Sequence, residues 1–246
     1  MKTIDREKKK SKDALISVTW LFLYLILIWL ANITSALIGL PDSMNALSEV
    51  FFCILVFFWM KKRGQLSYYG IRSLKDLNYA NLLFFTPMLF ISFSNLMFGI
   101  NIKYTWYQTL FIMIAMLGVG FSEEILFRGF LMKALMNKNV KTAILFPSLF
   151  FGILHLLNLL GGANLLLTIL QCIYAFFFAL MCSVFVYRTN NIIPCMICHS
   201  ITNITDIFMP DNLTIQRQLL GCVVVIIPSA FYTLYLLRSK NEMRRN

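Results

Sequence analysis

Apolar residues occur along this chain in long runs that are separated by short polar connections. A helix needs about 20 apolar residues to cross a membrane, and fewer where surrounding protein shields it. Eight segments approach this requirement, although the second and the seventh are short or interrupted by polar residues. They lie near residues 14–40, 46–60, 79–100, 107–133, 143–160, 164–187, 192–209 and 218–237. The pattern therefore predicts an all-α, polytopic membrane protein with about eight transmembrane helices.

The connections between these segments are too short to hold a soluble domain, and no internal repeat is visible. We therefore expect one helical membrane domain at residues 14–237, between basic tails at 1–13 and 238–246. The lysines before the first segment are typical of a signal peptide. However, that segment is longer than the apolar core of a signal peptide, which has about 7–15 residues, so an uncleaved helix is expected.

Composition supports this class and excludes others. Of the 246 residues, 59% are hydrophobic and 13% are charged, whereas soluble domains have about 45–50% apolar and about 25% charged residues. A disordered chain, a disulfide scaffold and an ordinary cytosolic enzyme are all excluded. The net charge of +11 comes from basic residues scattered between apolar runs, so no nucleic-acid partner is expected.

The basic residues are distributed unevenly between the two sides of the predicted bundle. Nineteen of the 22 Lys and Arg lie in the tails and in alternate connections. The remaining connections hold only Lys103 and Arg217, beside acidic residues that include Glu49. Because cytoplasmic loops are rich in Lys and Arg, we expect both termini in the cytoplasm and an even number of spans in the cell membrane.

The basic residue left over, Arg128, lies inside the fourth segment together with Glu123 and Glu124. Ionisable side chains at membrane depth are costly, face the protein interior and commonly mark function. Glu124 and Arg128 are four residues apart and can pair on one helix face. Glu123 is rotated by about 100° from Glu124 and is less well placed to pair with Arg128. A carboxylate in a dry site without a full counter-charge can serve as a general base. This spacing predicts Glu123 for chemistry and the Glu124–Arg128 pair for architecture.

Both histidines of the chain also fall in predicted spans. His155 lies in the fifth span, and His199 lies in the seventh span four residues before Asn203, so that both polar groups share a face. Counted from the cytoplasmic ends at about 1.5 Å per residue, Glu123 and His155 lie about 15 and 18 Å deep. By the same rule His199 and Asn203 lie about 10 and 16 Å deep. These similar depths predict a shared polar chamber in the cytoplasmic half of the membrane.

Three ordered motifs in these spans resemble the signature of a known family. They are Glu-Glu-x-x-x-Arg at 123–128, Phe-x-x-x-His at 151–155 and His-x-x-x-Asn at 199–203. The trio resembles the CAAX prenyl protease 2 family, also called CPBP or Abi, which comprises intramembrane endopeptidases. The resemblance covers roughly residues 105–210, which would form the protease core. The first three spans match only as generic helices.

The resemblance implies a helical membrane fold with a site inside the bilayer that opens toward the cytoplasm. It implies that Glu123 activates water with help from His155, and that His199 and Asn203 stabilise the oxyanion. Glu124 and Arg128, with Phe151, would hold the site together. The implied substrate is a hydrophobic or membrane-associated peptide, in peptide maturation, bacteriocin self-immunity or prenyl-protein processing.

Several alternatives stay open at the level of sequence. Two histidines and a glutamate (His155, His199 and Glu123) could bind a catalytic zinc ion, although His-Glu-x-x-His spacing is absent and no cofactor is favoured. A proton-coupled transporter could also use intramembrane acids and histidines, but such proteins often show internal repeats. A catalytically silent membrane scaffold would not need the full set of motif residues.

Overall fold

The computed structural model describes residues 2–74, 79–136 and 139–239. Within these ranges the regular secondary structure is helical, which confirms the predicted all-α class. The α-helices are α1 (Lys2–Leu37), α2 (Ser43–Lys62), α3 (Tyr79–Ser92), α4 (Trp106–Glu124), α5 (Met132–Met136), α6 (Val140–Leu154), α7 (Leu165–Thr189), α8 (Ile193–Ile207) and α9 (Ile215–Arg238). A π-helical segment, Ile125–Leu131, joins α4 to α5, and 3₁₀ segments follow α3 at Ser94–Phe98 and α6 at His155–Gly161.

Six helical segments of the described chain are long and apolar enough to cross a membrane. They are Lys12–Leu37, Ser43–Lys62, Trp106–Met136, Val140–Gly161, Leu165–Thr189 and Ile215–Arg238. The second predicted segment is thus a full helix. The third is interrupted instead, because α3 ends at Ser92 and contains Pro87. The chain is a multi-pass membrane protein, and the count of eight crossings stays a prediction.

The helices run between two ends of the molecule, which we call the basic end and the opposite end. The basic end comprises the connections 63–74 and 190–192, where the Ile192 N–H donates to the Gly70 carbonyl at 2.9 Å. The opposite end comprises the connections 38–42, 99–105, 162–164 and 208–214, where the Asn101 N–H donates to the Phe208 carbonyl at 2.7 Å. The segment that begins with α3 and the short helix α8 therefore connect the same two ends as the longer helices.

The predicted tails correspond only partly to the structure. Helix α1 begins at Lys2, so residues 2–13 of the predicted tail are helical and continuous with the first membrane helix, and the limits of the tails stay a prediction. Of the predicted C-terminal tail, residues 240–246 lie outside the described residues. The same holds for Lys75 and Lys138, two of the basic residues assigned above to cytoplasmic connections.

Large apolar side chains cover the outside of the bundle as well as its interior. On α1, Leu15 is 67% exposed, and Phe22 and Trp29 are each 63% exposed. Exposed apolar surface of this extent is unusual for a protein in water. In a bilayer these side chains contact lipid, and the polar groups must then lie inside the bundle.

Candidate active site

Two glycines on α4 allow neighbouring helices to approach it closely. A Cβ atom at Gly118 would overlap the Cβ atom of Glu49 on α2. A Cβ atom at Gly120 would overlap the Ser200 hydroxyl on α8 and lie 2.8 Å from the Ser200 backbone nitrogen. Small residues let helix backbones come together in membranes. These glycines therefore bring polar residues of α2 and α8 to the end of α4 that carries Glu123 and Glu124.

Glu124 lies in the protein interior beside Arg128. The Arg128 Nη1 atom is 3.0 Å from the Glu124 Oε1 atom, and both side chains are fully buried. The guanidinium also lies over the Phe151 ring, with its central carbon 4.9 Å from the ring centroid. No guanidinium nitrogen makes a hydrogen bond of good geometry within the described chain. Ion pairing and the aromatic face are therefore what hold this buried cation.

His199 on α8 lies between the two glutamates. Its Nδ1 atom is 3.2 Å from the Glu124 Oε1 atom, and its Nε2 atom is 3.6 Å from the Glu123 Oε2 atom. The Glu124 side chain is fully buried, whereas 25% of the Glu123 side chain is exposed. With His199 as imidazolium, Glu123, Glu124, Arg128 and His199 together carry no net charge. Such a balance lowers the cost of burying charges.

Phe151 connects the histidines to the buried ion pair. Its ring centroid is 5.3 Å from that of His155 and 5.6 Å from that of His199, in edge-to-face arrangements. His155 follows the last residue of α6, where the chain changes to the 3₁₀ segment. The side chains of Phe151, His155 and Glu123 all line one cavity. The structure thus brings the Phe-x-x-x-His motif into contact with the residues of the Glu-Glu-x-x-x-Arg motif.

That cavity has a volume of about 1100 Å³. Its walls come from four parts of the chain: α1 between residues 21 and 36, residues 42–49, α4 and the π segment between 115 and 127, and residues 151–161. Most of the lining is apolar, with Glu123 and His155 near its inner end. A mostly apolar cavity with a few convergent polar groups is typical of a site for a hydrophobic ligand.

Asn203 lies one helical turn beyond His199 on α8 and is half-buried. It is not among the residues that line the cavity, and neither is His199, which reaches the site through its contacts with the two glutamates. The structure thus brings Glu123, Glu124, Arg128, Phe151, His155 and His199 together. It leaves Asn203 at the edge of this group.

Sequence reasoning missed a third carboxyl group, that of Glu49. It was assigned to a connection between spans, but it lies in α2 and is only 1% exposed. The Tyr24 and Ser122 hydroxyls donate to its two oxygens, each at 2.7 Å. Glu49 also lines the cavity. An isolated acid near the start of an apolar run is a signal that could have identified it, because apolar residues follow it up to Met60.

The donor groups in this region do not form a compact zinc site from the predicted residues. Within the described chain, the acidic, cysteine and histidine ligand atoms that lie within 4.8 Å of one another belong to Glu124, Cys182 and Cys195. The predicted set of Glu123, His155 and His199 is not so arranged. Glu124 also already contacts the Arg128 cation.

Comparison with known families connects this geometry to an activity. Residues 105–205 match the model of a family described as Rce1-like, type II CAAX prenyl endopeptidase. The matched range contains all seven residues that the three motifs contribute to the predicted site. Neither the curated proteins nor the solved structures gave a match.

The family match confirms the resemblance inferred from the motifs. The resemblance was inferred from motif residues that lie up to about 80 positions apart in the chain. The structure brings most of these residues into one group of contacts. The Rce1-like family is a family of membrane proteases, which fits a polar site enclosed by apolar helices. Residues 105–205 of this chain are therefore similar to the Rce1-like type II CAAX prenyl endopeptidases.

Proposed function

We propose that the protein is an intramembrane endopeptidase of the glutamate type that hydrolyses peptide bonds of hydrophobic or membrane-associated peptides. The observation that carries the proposal is the position of Glu123. Its carboxylate lines an apolar cavity with His155 and lies 3.6 Å from His199. A carboxylate that is not fully paired, in a site shielded from bulk water, is suited to general-base catalysis.

In the proposed reaction Glu123 removes a proton from a water molecule in the cavity. The resulting hydroxide attacks the carbonyl carbon of the scissile peptide bond, and a tetrahedral oxyanion forms. His155 lines the same cavity, and its proposed role is to orient this water. General-base catalysis by a positioned side chain contributes about 10²–10⁴-fold to the rate.

The oxyanion needs hydrogen-bond donors, and the proposal assigns them to α8. The contact between the His199 Nδ1 atom and Glu124 fixes the ring, so that Nε2 faces the Glu123 side of the site. Asn203, one turn away, would supply an amide N–H. Donors that are held in place before reaction stabilise an oxyanion effectively in a dry site.

Collapse of the tetrahedral intermediate breaks the C–N bond. The proton taken up by Glu123 passes to the leaving amine nitrogen, and the carboxylate is regenerated. Glu124 and Arg128 take no part in proton transfer in this scheme. Their proposed role is to hold His199 and Phe151 in position through the contacts described above.

The test is cleavage of a panel of apolar fluorogenic peptides by purified protein in detergent. Glu123→Gln keeps the shape of the side chain but removes the base, so we expect the cleavage rate to fall by about 10²–10⁴-fold. Asp211→Asn makes the same chemical change at an acid that is 66% exposed at the opposite end, and should cleave like wild type. Equal activity of Glu123→Gln and wild type would refute the glutamate mechanism.

The same preparation also tests for a metal. The proposed mechanism expects cleavage to continue after exhaustive chelation. Complete loss that is restored by zinc would replace the glutamate mechanism with a zinc-dependent one. Flux of a solute in liposomes that is lost in Glu123→Gln, without peptide cleavage, would instead indicate a transporter.

A further inference from the structure

Glu49 is a buried acid that the proposed reaction leaves unused. It lies in α2, is only 1% exposed and lines the same cavity as Glu123. Its side chain packs against α4 at Gly118, where an added Cβ atom would overlap the Glu49 Cβ atom. The carboxyl groups of Glu49 and Glu123 are close enough to interact electrostatically. A peptide bound in the cavity therefore meets two carboxyl groups.

Two hydroxyl groups hold the Glu49 carboxyl group in place. The Tyr24 hydroxyl on α1 donates to its Oε1 atom, and the Ser122 hydroxyl on α4 donates to its Oε2 atom, each at 2.7 Å. Ser122 directly precedes Glu123 in the chain, so this bond ties Glu49 to the residue beside the general base. Because both bonds use hydroxyl protons, a proton on the Glu49 carboxyl group itself stays available to the cavity.

Glu49 and Glu123 differ in their counter-charges. Glu123 lies 3.6 Å from His199, and 25% of its side chain is exposed. Within the described ranges of the chain, no salt bridge reaches Glu49, and the lining of the cavity contains neither Lys nor Arg. An isolated carboxylate costs far more to bury than a neutral carboxylic acid. Two carboxyl groups in surroundings that differ in this way are suited to separate roles as acid and base.

We propose that Glu49 is the general acid of the reaction, which protonates the scissile nitrogen as the C–N bond breaks. An unprotonated amide nitrogen would have to leave as a strongly basic anion, so a positioned proton donor speeds this step. This assignment rests on the proposed peptidase function. It replaces the direct passage of a proton from Glu123 to the leaving amine.

The protons balance over the cycle. Glu123 takes one proton from water, and the hydroxide forms the new C–O bond. Glu49 gives its proton to the nitrogen when the C–N bond breaks, so the products are a carboxylic acid and an amine. The proton held by Glu123 then passes to the Glu49 carboxylate through water in the cavity. Both side chains return to their starting states, and one water molecule has been consumed.

A comparison of leaving groups distinguishes a general acid from a structural residue. Mass spectrometry of the wild-type products first identifies the bond that is cleaved in an apolar test peptide. A second peptide carries sulfur in place of the nitrogen of that bond. Because a thiol has a pKa of about 8.5, the thiolate leaves without a proton from the enzyme. Each variant is characterised by its ratio of amide to thioester cleavage in one detergent preparation, so that a loss of folded protein lowers both rates alike.

Glu49→Gln removes the acid but keeps a side chain that can bond to both hydroxyls. We expect its amide cleavage to fall by about 10²-fold or more, as for loss of a general acid, while thioester cleavage continues at the wild-type rate. Glu49→Asp retains an acid and should recover part of the amide rate. Glu123→Gln should lose cleavage of both peptides, because both need the hydroxide.

The matched control is Asp13→Asn. Asp13 is another buried acid, 8% exposed, that accepts a hydrogen bond from a tyrosine hydroxyl, that of Tyr68 at 2.9 Å, but it does not line the cavity. This variant should keep the wild-type ratio of amide to thioester cleavage, even where its stability falls.

Equal loss of amide and thioester cleavage in Glu49→Gln would give Glu49 a structural role and overturn the inference. An unchanged amide rate in that variant would overturn it as well. In both cases the peptidase function stands as long as Glu123→Gln loses cleavage. If wild type cleaves neither peptide, the proposed function fails, and the role of Glu49 fails with it.

Discussion

Glu123 and Glu124 are neighbours in the sequence but occupy different surroundings. Successive helical residues point about 100° apart, so one carboxylate turns inward to Arg128 while the other turns to the cavity. This division could be predicted from spacing alone, because four residues separate Glu124 from Arg128. The contact of His199 with both glutamates could not, since it depends on how closely α8 packs against α4.

Arg128 provides a test of the buried ion pair. Arg128→Met leaves the Glu124 carboxylate without its main counter-charge in the interior, and breaking a buried pair in this way costs about 3–5 kcal/mol. We therefore expect a clear fall in the melting temperature of the purified protein in detergent. The double variant Glu124→Gln, Arg128→Met removes both charges and should recover part of the loss.

The matched control is Arg217→Met, because Arg217 is exposed in the first turn of α9. Its free energy of unfolding should lie within about 0.5 kcal/mol of the wild-type value, as is usual for surface substitutions. Equal melting of Arg128→Met and Arg217→Met would contradict a structural role for the pair.

At the scale of elements, the apolar pattern predicts the long helices well and the irregular ones poorly. Six predicted segments correspond to long apolar helical segments within a few residues of their limits, as 164–187 does to α7 at Leu165–Thr189. The π segment after Glu124 and the end of α3 at Ser92 have no counterpart in the pattern. Hydropathy records which residues avoid water, whereas these features arise from packing between helices. π segments within α-helices are frequent at functional sites.

The contact between α4 and α8 depends on Gly120. Gly120→Ala adds a methyl group that would overlap the Ser200 hydroxyl and push α8 away from α4. Overpacking of this kind costs about 1–3 kcal/mol. Because His199 lies on α8, the shift should also separate His199 from Glu123 and lower the cleavage rate. The measurements are peptide cleavage and thermal melting of the same detergent preparation.

Gly161→Ala is the control for this substitution, since a Cβ atom at Gly161 would meet open space and its backbone conformation is accessible to alanine. It should retain both stability and activity. If Gly120→Ala cleaved peptide as fast as Gly161→Ala does, close packing of α8 on α4 would not be required for the reaction.

Across the whole molecule, the sequence motifs identify only some of the residues that form the site and its surroundings. The three motifs identify the site residues of α4 and the π segment, of α6 and the 3₁₀ segment after it, and of α8. Glu49 and the buried rings of Trp20, Phe52 and Tyr69 lie in the first half of the chain, where no motif marks them. Their involvement depends on α1 and α2 packing against α4 and the π segment, which apolar runs alone do not specify. The family match likewise begins only at residue 105.

The charge asymmetry of the molecule makes a prediction about its orientation. Because Lys and Arg accumulate in the tails and at the basic end, both termini should lie in the cytoplasm and the opposite end outside it. Epitopes at the two termini and between Asp211 and Asn212, an exposed site at the opposite end, would report this in the full-length chain. Antibodies should detect the internal epitope in intact cells and the terminal epitopes only after permeabilisation. Detection of one terminal epitope on each side would require an odd number of crossings, and the pairing of α3 and α8 as spans would then be wrong.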